Sequence, residues 1–326
     1  MKTDVALRAA DITLRPARYE DATFVADLLT AVFPDDPVDP VQQEHWWRNP
    51  DSNTTIERYI GELAGAPVAF AQMRHVAWER MPQRYASVGA DVLPAQRTAE
   101  RLDALFAAME DRAREDGART VTFWTWDHDA ARIAVVTKRG YREERRQRFW
   151  QLDLAANRAK IEAMAAESRA KMRAAGIRVL TIDRDDDPEK FQKLWRMSEE
   201  AIYDIPTTVP YTGTSFEDFM TWMRSPGVRD DRIWIARKGD DVLGVSMLNY
   251  PPKRGVVSTD WTGVGRAGRG HGVARALKCE TVMQAIALGV DRVRTDNDSK
   301  NAPILHINET MGYRIRAEMI QFMRSA

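Results

Sequence analysis

Cysteine occurs once, at Cys279, which excludes an internal disulfide and a cysteine-rich metal site. Neither sign of charge is in excess: 48 Lys and Arg stand against 48 Asp and Glu, a formal net charge of zero. Dedicated nucleic-acid binders carry a basic surplus, so none is expected here. No apolar run approaches the ~18 residues of a membrane span. The opening stretch MKTDVALRAADITLRP lacks the apolar segment of a signal peptide. These absences imply a soluble cytoplasmic protein with neither nucleic acid nor membrane as partner, and without a metal. What is present suffices for an ordinary core: 44% apolar and 29% charged residues. A chain of 326 residues suggests two domains.

Patterning along the chain alternates between the two periods of secondary structure. A strand at 12–16 precedes an amphipathic helix carrying Phe24, Val25, Leu28, Leu29 and Val32. Residues 34–50, with Trp46 and Trp47 near the end, read as loop-rich. Strands at 55–63, 68–76 and 85–92 lead to a helix from about 98 to 116, stopped by Gly117. A strand at 121–126, a helix at 129–138 and a strand near 148–154 follow. Residues 155–175 are rich in Ala, Lys, Arg and Glu, and form a helical connector. Beyond Gly176 the order restarts: strand 177–181, helix 188–201, loop 203–214, strands 232–237, 242–250 and 256–264, a helix from Gly272, strand 290–295, helix 301–310 and a last strand.

The restart is a duplication. At one offset of 172 residues Arg97 pairs with Arg269, Leu105 with Leu277, Gly117 with Gly289 and Val121 with Val293, and Gly140-Tyr141-Arg142 with Gly312-Tyr313-Arg314. Seven matches in one register mark a tandem α/β unit rather than a short-period solenoid. The division is 1–154, a connector 155–175, and 176–326.

The halves differ at Asp260–Lys278, D-W-T-G-V-G-R-A-G-R-G-H-G-V-A-R-A-L-K. Five glycines, 263, 265, 268, 270 and 272, let backbone N–H groups converge and let a bulky anion approach. A helix start directly after them adds unpaired donors and the positive end of the peptide dipoles, a phosphate or diphosphate site. In the first half Gly272 becomes Glu100 and Ala274 becomes Leu102, and the glycines are gone. A carboxylate there opposes an anion, so the first half is expected not to bind the same ligand.

Arg269-Gly270-His271-Gly272-Val273-Ala274 resembles the R/Q-x-x-G-x-G/A motif of the GNAT superfamily of acyl-CoA-dependent N-acetyltransferases. The segment T-D-N-D-S-K-N-A-P-I-L-H-I-N-E-T-M-G-Y-R resembles that superfamily's asparagine-bearing helix closing in GY. Both lie in the second half, while the repeated architecture resembles tandem members over the whole chain. The resemblance implies an α/β (α+β) fold of two GNAT-like domains, each a mixed, mostly antiparallel sheet flanked by helices, the first degenerate. It implies acetyl-CoA as cosubstrate, its diphosphate on the backbone of Arg269, Gly270, His271, Gly272, Val273 and Ala274. It places the pantetheine along Gly263 and Val264, and Asn301 at the pantetheine or diphosphate; Asn301 also suits a helix N-cap.

For proton transfer the residues leave choices open. Many GNAT enzymes carry a tyrosine four residues before the closing glycine; here it is Asn308, which could bond the thiol, while Tyr250, Tyr203 or Tyr211 could supply a phenol. Asp260, four residues before Val264 and on a face shared with Ser258 and Thr262, is the candidate base; Val88 replaces it in the first half. A hydrogen-bonded structural aspartate fits it equally. Cys279 belongs to the buried stripe of its helix. Asp204 and Asp260 could draw a cationic amine, with 203–216 as the acceptor wall. The expected activity is transfer of acetyl to the amine of a small polar acceptor, by a monomer or homodimer; the alternative is a non-catalytic acyl-CoA-binding scaffold.

Overall fold

The computed structural model describes residues 7–326. The first half runs β1 (Leu7–Ala9), β2 (Ile12–Pro16), α1 (Ala22–Val32), α2 (Pro40–Arg48), β3 (Thr54–Leu63), β4 (Ala66–Val76), β5 (Tyr85–Val92), α3 (Ala99–Glu115), β6 (Thr120–Trp126), α4 (Ala130–Lys138) and β7 (Arg142–Asp153). Helix α5 (Leu154–Ala174) leads to β8 (Arg178–Thr181), α6 (Lys190–Tyr203), α7 (Phe216–Met223), β9 (Ile233–Lys238), β10 (Asp241–Asn249), β11 (Ser258–Val264), α8 (Val273–Ala287), β12 (Arg292–Asp298), α9 (Ala302–Met311) and β13 (Arg314–Ser325). The repeat is a repeat of structure: β6 and β12 start at Thr120 and Arg292, and β7 and β13 at Arg142 and Arg314, each pair 172 residues apart.

The described strands form one thirteen-stranded sheet, ordered β1-β2-β3-β4-β5-β6-β13-β7-β12-β11-β10-β9-β8. The closing strands are exchanged. β13 pairs with β6 of the first half, and β7 pairs antiparallel with β12 of the second. The strand expected to finish the first unit therefore completes the second half's sheet and carries Arg145 and Gln147 there. The division at 154 cuts the chain but not the sheet.

Two segments differ from expectation. Residues 40–48 are a helix, not a loop: Asp39 accepts from the N–H groups of Val41 (2.8 Å) and Gln42 (3.1 Å), with Pro40 at the first position. Its periodicity is hidden because only Trp47 is buried. The expected connector is a core element of the second half. Leu154, Ile161, Met164 and Ala165 of α5 pack with Cys279, Val282 and Ile286 of α8, and Arg169 holds Glu280 bidentately at 2.6 and 2.8 Å. No helix among the described residues is long and apolar enough to cross a membrane.

Among the described residues each half contains one parallel strand junction, β5 with β6 and β11 with β12. The second is paired at the single point Ser258–Arg294 and then opens. That opening, roofed by the start of α8, positions the site.

Candidate active site in the second half

The floor and walls follow from the open junction. Beyond Ser258 and Arg294 the strands diverge into a cleft of about 800 Å³. It is lined by Thr259–Val264 of β11, Thr295–Asp298 of β12, the loop and first turns of α8, Asn301 just before α9 and Ile304 within it, and Arg145 and Gln147 of the exchanged β7.

At the mouth, Gly270 and Gly272 take φ of +76° and +85°, a region side chains avoid. The chain there turns its amides outward. The N–H groups of Gly270 to Arg275 donate to no acceptor among the described residues, whereas Ala276 already bonds Gly272 O at 3.0 Å. Six donors at the start of a fifteen-residue helix form an anion cradle. Lys171 of α5 adds a cation, its Nζ 3.2 Å from where a Cβ on Gly272 would lie. The residues expected along the coenzyme are thus largely together: Gly263, Val264, Arg269, Gly270, Gly272, Val273, Ala274 and Asn301 all line the cleft. His271 does not; its side chain is exposed outside. The Arg269 guanidinium turns back to Asp204 (2.7 Å) and Val264 O (3.2 Å). Asn301 occupies the N-cap of α9 without a side-chain capping bond, which leaves its amide for a ligand.

Asp260 lies deeper, on a different face from the one expected. The register of β10 and β11 slips between Met247 and Leu248, so Ser246 opposes Thr262 while Leu248 opposes Thr259. The extra residue in this bulge is Asp260. Its carboxylate leaves the Ser246–Thr262 side and accepts from Trp222 Nε1 of α7 at 3.0 Å and from the Asn249 amide. Desolvation dominates over these donors, with the neighbouring Asp296 adding to it, and pushes the carboxyl up to about 6. That suits a base working near neutrality. Asn249 is itself held from the first half: Gln42 Nε2 of α2 donates to its Oδ1 at 2.5 Å and to Pro226 O at 2.7 Å.

Other expected residues are elsewhere. Asn308 is 0% exposed, donates to Asn297 Oδ1 at 2.6 Å and does not reach the cleft. Tyr250 packs beneath Arg232, 4.3 Å from guanidinium to ring, also away from it. Tyr211 is committed to Glu199. Asp204 is neutralised by Arg266 and Arg269, which hold its carboxyl below the usual range, so it is not a free anion for an amine. Burial pushes the Cys279 thiol up to about 11, in keeping with a core residue. Sequence reasoning missed Lys278 and Asp296, both on the cleft wall, and Gln42 and Trp222 behind Asp260. For the first two a signal existed: at the same offset the first half has Phe106 and Trp124.

The first half fills its own junction. Arg132 of α4 is 3% exposed and reaches Asp91 of β5 at 2.5 Å, over the rings of Phe33 and Phe123. The equivalents of Arg132 and Asp91 are Ile304 and Gly263, both cleft residues. Arg97 donates to both oxygens of Asp129 at 2.6 and 2.7 Å, joining the equivalents of Arg269 and Asn301, and Thr98 caps α3 itself.

The architecture is similar throughout to a tandem GNAT protein from the clavulanic acid biosynthesis pathway, solved without AcCoA: 15% identity, 96% of this chain and 98% of that one, TM-score 0.72. This chain has the tandem GNAT fold. It is similar as well to a GCN5-related N-acetyltransferase from Sphaerobacter thermophilus (17% identity, 97% and 96% coverage, TM-score 0.66). A GNAT-family acetyltransferase from Colwellia psychrerythraea matches at 12% identity, 95% and 98% coverage and TM-score 0.59. No family model and no curated protein matches the chain. In GNAT terms the opened junction is that of the second copy, and the first copy's is closed by Arg132.

Proposed function

We propose that the protein is an acyl-CoA-dependent N-acetyltransferase that moves acetyl directly from acetyl-CoA to the amine of a small polar acceptor, in the second half of the chain. The observation that carries this is the cradle of free amides opening onto a cleft with a protein-surrounded carboxylate, Asp260, within it. A diphosphate would lie on the amides of Gly270 to Arg275, and the pantetheine along the open edge of β11 at Gly263 and Val264. Asn301 faces the same channel.

Direct transfer needs the amine neutral at the moment of attack. Asp260 accepts its proton, and an aspartate with its carboxyl near 6 is ionised yet still basic at pH 7. The acceptor reaches Asp260 from the side of α6 and α7. There the first half pins the 204–214 loop: Arg145 donates to Pro206 O at 2.9 Å, Arg80 to Thr212 O, and Thr208 donates to Glu144 at 3.1 Å. The closed first copy thus serves as a scaffold for acceptor binding.

Calorimetry with acetyl-CoA, followed by a free-thiol assay over a panel of small amines, tests the reading. One coenzyme bound per chain and CoA release with some amines are expected. Binding without release over the whole panel would favour the non-catalytic scaffold; no binding would overturn the site.

A further inference from the structure

Lys278 sits in the second turn of α8, 2% exposed and on the cleft wall. Its Nζ has no hydrogen-bond acceptor among the described residues; the Tyr313 ring lies 5.2 Å away. Holding an ammonium in that desolvated place, with only the Asp296 carboxylate and the Cys279 thiol nearby to favour it, costs several kcal/mol, of order ~3 or more. The first half avoids this cost with Phe106, which is wholly buried in the core. Asp296 likewise replaces Trp124, and Asp260 replaces Val88, so three apolar positions of the closed junction become ionisable in the open one. The groups around Lys278 are Asp296 on β12, Tyr313 before β13 and Cys279 on its own helix, and Asp260 on β11 and Arg275 line the same cleft. Asp296 accepts from Gln147 of the exchanged strand, and burial raises its carboxyl.

The cleft offers few other acids. Asn308 and Tyr250 are outside it, Tyr313 has a buried hydroxyl whose titration is pushed far up by desolvation, and His306 stands on the exposed rim. We propose that Lys278 is the proton source for the sulfur that leaves during acyl transfer. The amine nitrogen attacks the thioester carbon, the C–S bond breaks with its electron pair on sulfur, and the Lys278 ammonium gives that sulfur a proton. Asp260, having passed the first amine proton to solvent, receives the second proton shed by nitrogen after attack, and exchange with solvent restores both groups. Desolvation brings the lysine down to about 8, so it is charged at neutral pH and close in acidity to the thiol it serves.

This inference rests on the acyl-CoA reading, and its test separates the two. CoA in its thiol form is titrated on the full-length protein by thiolate absorbance, with desulfo-CoA as the blank. A free thiol titrates near ~8.5. Bound to the wild type it should titrate about one unit lower, because Lys278⁺ stabilises the thiolate. Lys278→Met, apolar like Phe106, should bind CoA with a similar Kd and return the thiol to its free value. Lys278→Arg should keep the lowered thiol value, since its charge remains, yet lose about tenfold or more in turnover because guanidinium does not deprotonate. If the methionine variant fails to fold, the arginine variant still decides. An unchanged thiol titration in Lys278→Met, or full turnover in Lys278→Arg, overturns the role of Lys278 while leaving the acyl-CoA reading intact. No CoA binding by the wild type overturns both.

Discussion

The two halves share one topology and differ at the junction between their parallel strands. In the first, Arg132 is driven between β5 and β6 onto Asp91, and Arg97 is tied to Asp129. In the second, the same four places hold Ile304, Gly263, Arg269 and Asn301, and the junction is a cleft of about 800 Å³. The closed copy pairs its ions across the gap, lines the core with Val88 and Phe106, and sets the Trp124 ring beneath Arg145. The open copy leaves amides unpaired and carries Asp260, Lys278 and Asp296 at the matching positions. One arrangement pairs its polar groups with each other; the other leaves amides and an ammonium without protein acceptors among the described residues.

The largest break in that contrast should come from making the open cradle resemble the closed one. Gly270→Glu with Gly272→Glu places carboxylates in the anion site and side chains at positive φ. Acetyl-CoA affinity should fall by about 100-fold or more by calorimetry, at roughly 3 kcal/mol per such factor.

Next in size is Asp260→Asn. Removing the base should reduce turnover by about 100-fold and erase the acidic limb of the pH–rate profile, which in the wild type rises through about 6. A second limb should fall beyond about 8 as Lys278 loses its proton. Stability should move the opposite way. The folded-state carboxyl is raised, so its favourable contribution is complete below the unfolded value of about 3.9 and is lost as pH rises through about 6. At pH 8 the asparagine variant should be more stable, on the order of 1–3 kcal/mol, in urea unfolding.

The closed copy can be tested from its own side. Arg132→Met strands the carboxylate of Asp91 in the junction, while Arg97 still holds Asp129, and should destabilise the protein by about 3 kcal/mol. It should leave CoA stoichiometry at one per chain, because Thr98 caps α3 and Glu100 remains in its first turn. A second bound CoA would show that Arg132 alone kept the first copy shut. The smallest effect is expected from Gln42→Leu. It severs the bond from α2 to Asn249, behind Asp260. The acidic limb should shift by a few tenths of a unit and turnover fall a few-fold, with little change in Tm. A pH profile superimposable on the wild type would separate the first half from the chemistry.

Legibility in the sequence followed the range of the forces involved. The duplication is readable because β6, β7, β12 and β13 keep one offset, and the cradle because its glycines and helix start are contiguous. Asp260 stands out in the sequence but its face does not, since the bulge depends on how β11 registers against β10. The resemblance points Asn308 to the site and the search for a phenol points to Tyr250, whereas Asn308 is turned inward to Asn297 by packing and Tyr250 lies under Arg232. Lys278 reads as one more polar residue on a helix, because burial of a charge leaves no local mark.

By itself, then, the chain determined two copies of one α/β unit and a glycine-rich loop before a helix start in the second, through periodicity, glycine spacing and helix-start chemistry that act over a few residues. The tertiary structure alone decided which copy each closing strand joins. β7 and β13 are both twelve-residue strands that end the same unit, and either can complete either sheet until the halves pack. That exchange brings Gln147 to Asp296, and packing of α2 brings Gln42 to Asn249. The electrostatics of the cleft are set by contacts between residues far apart in sequence, through desolvation that only the assembled fold supplies.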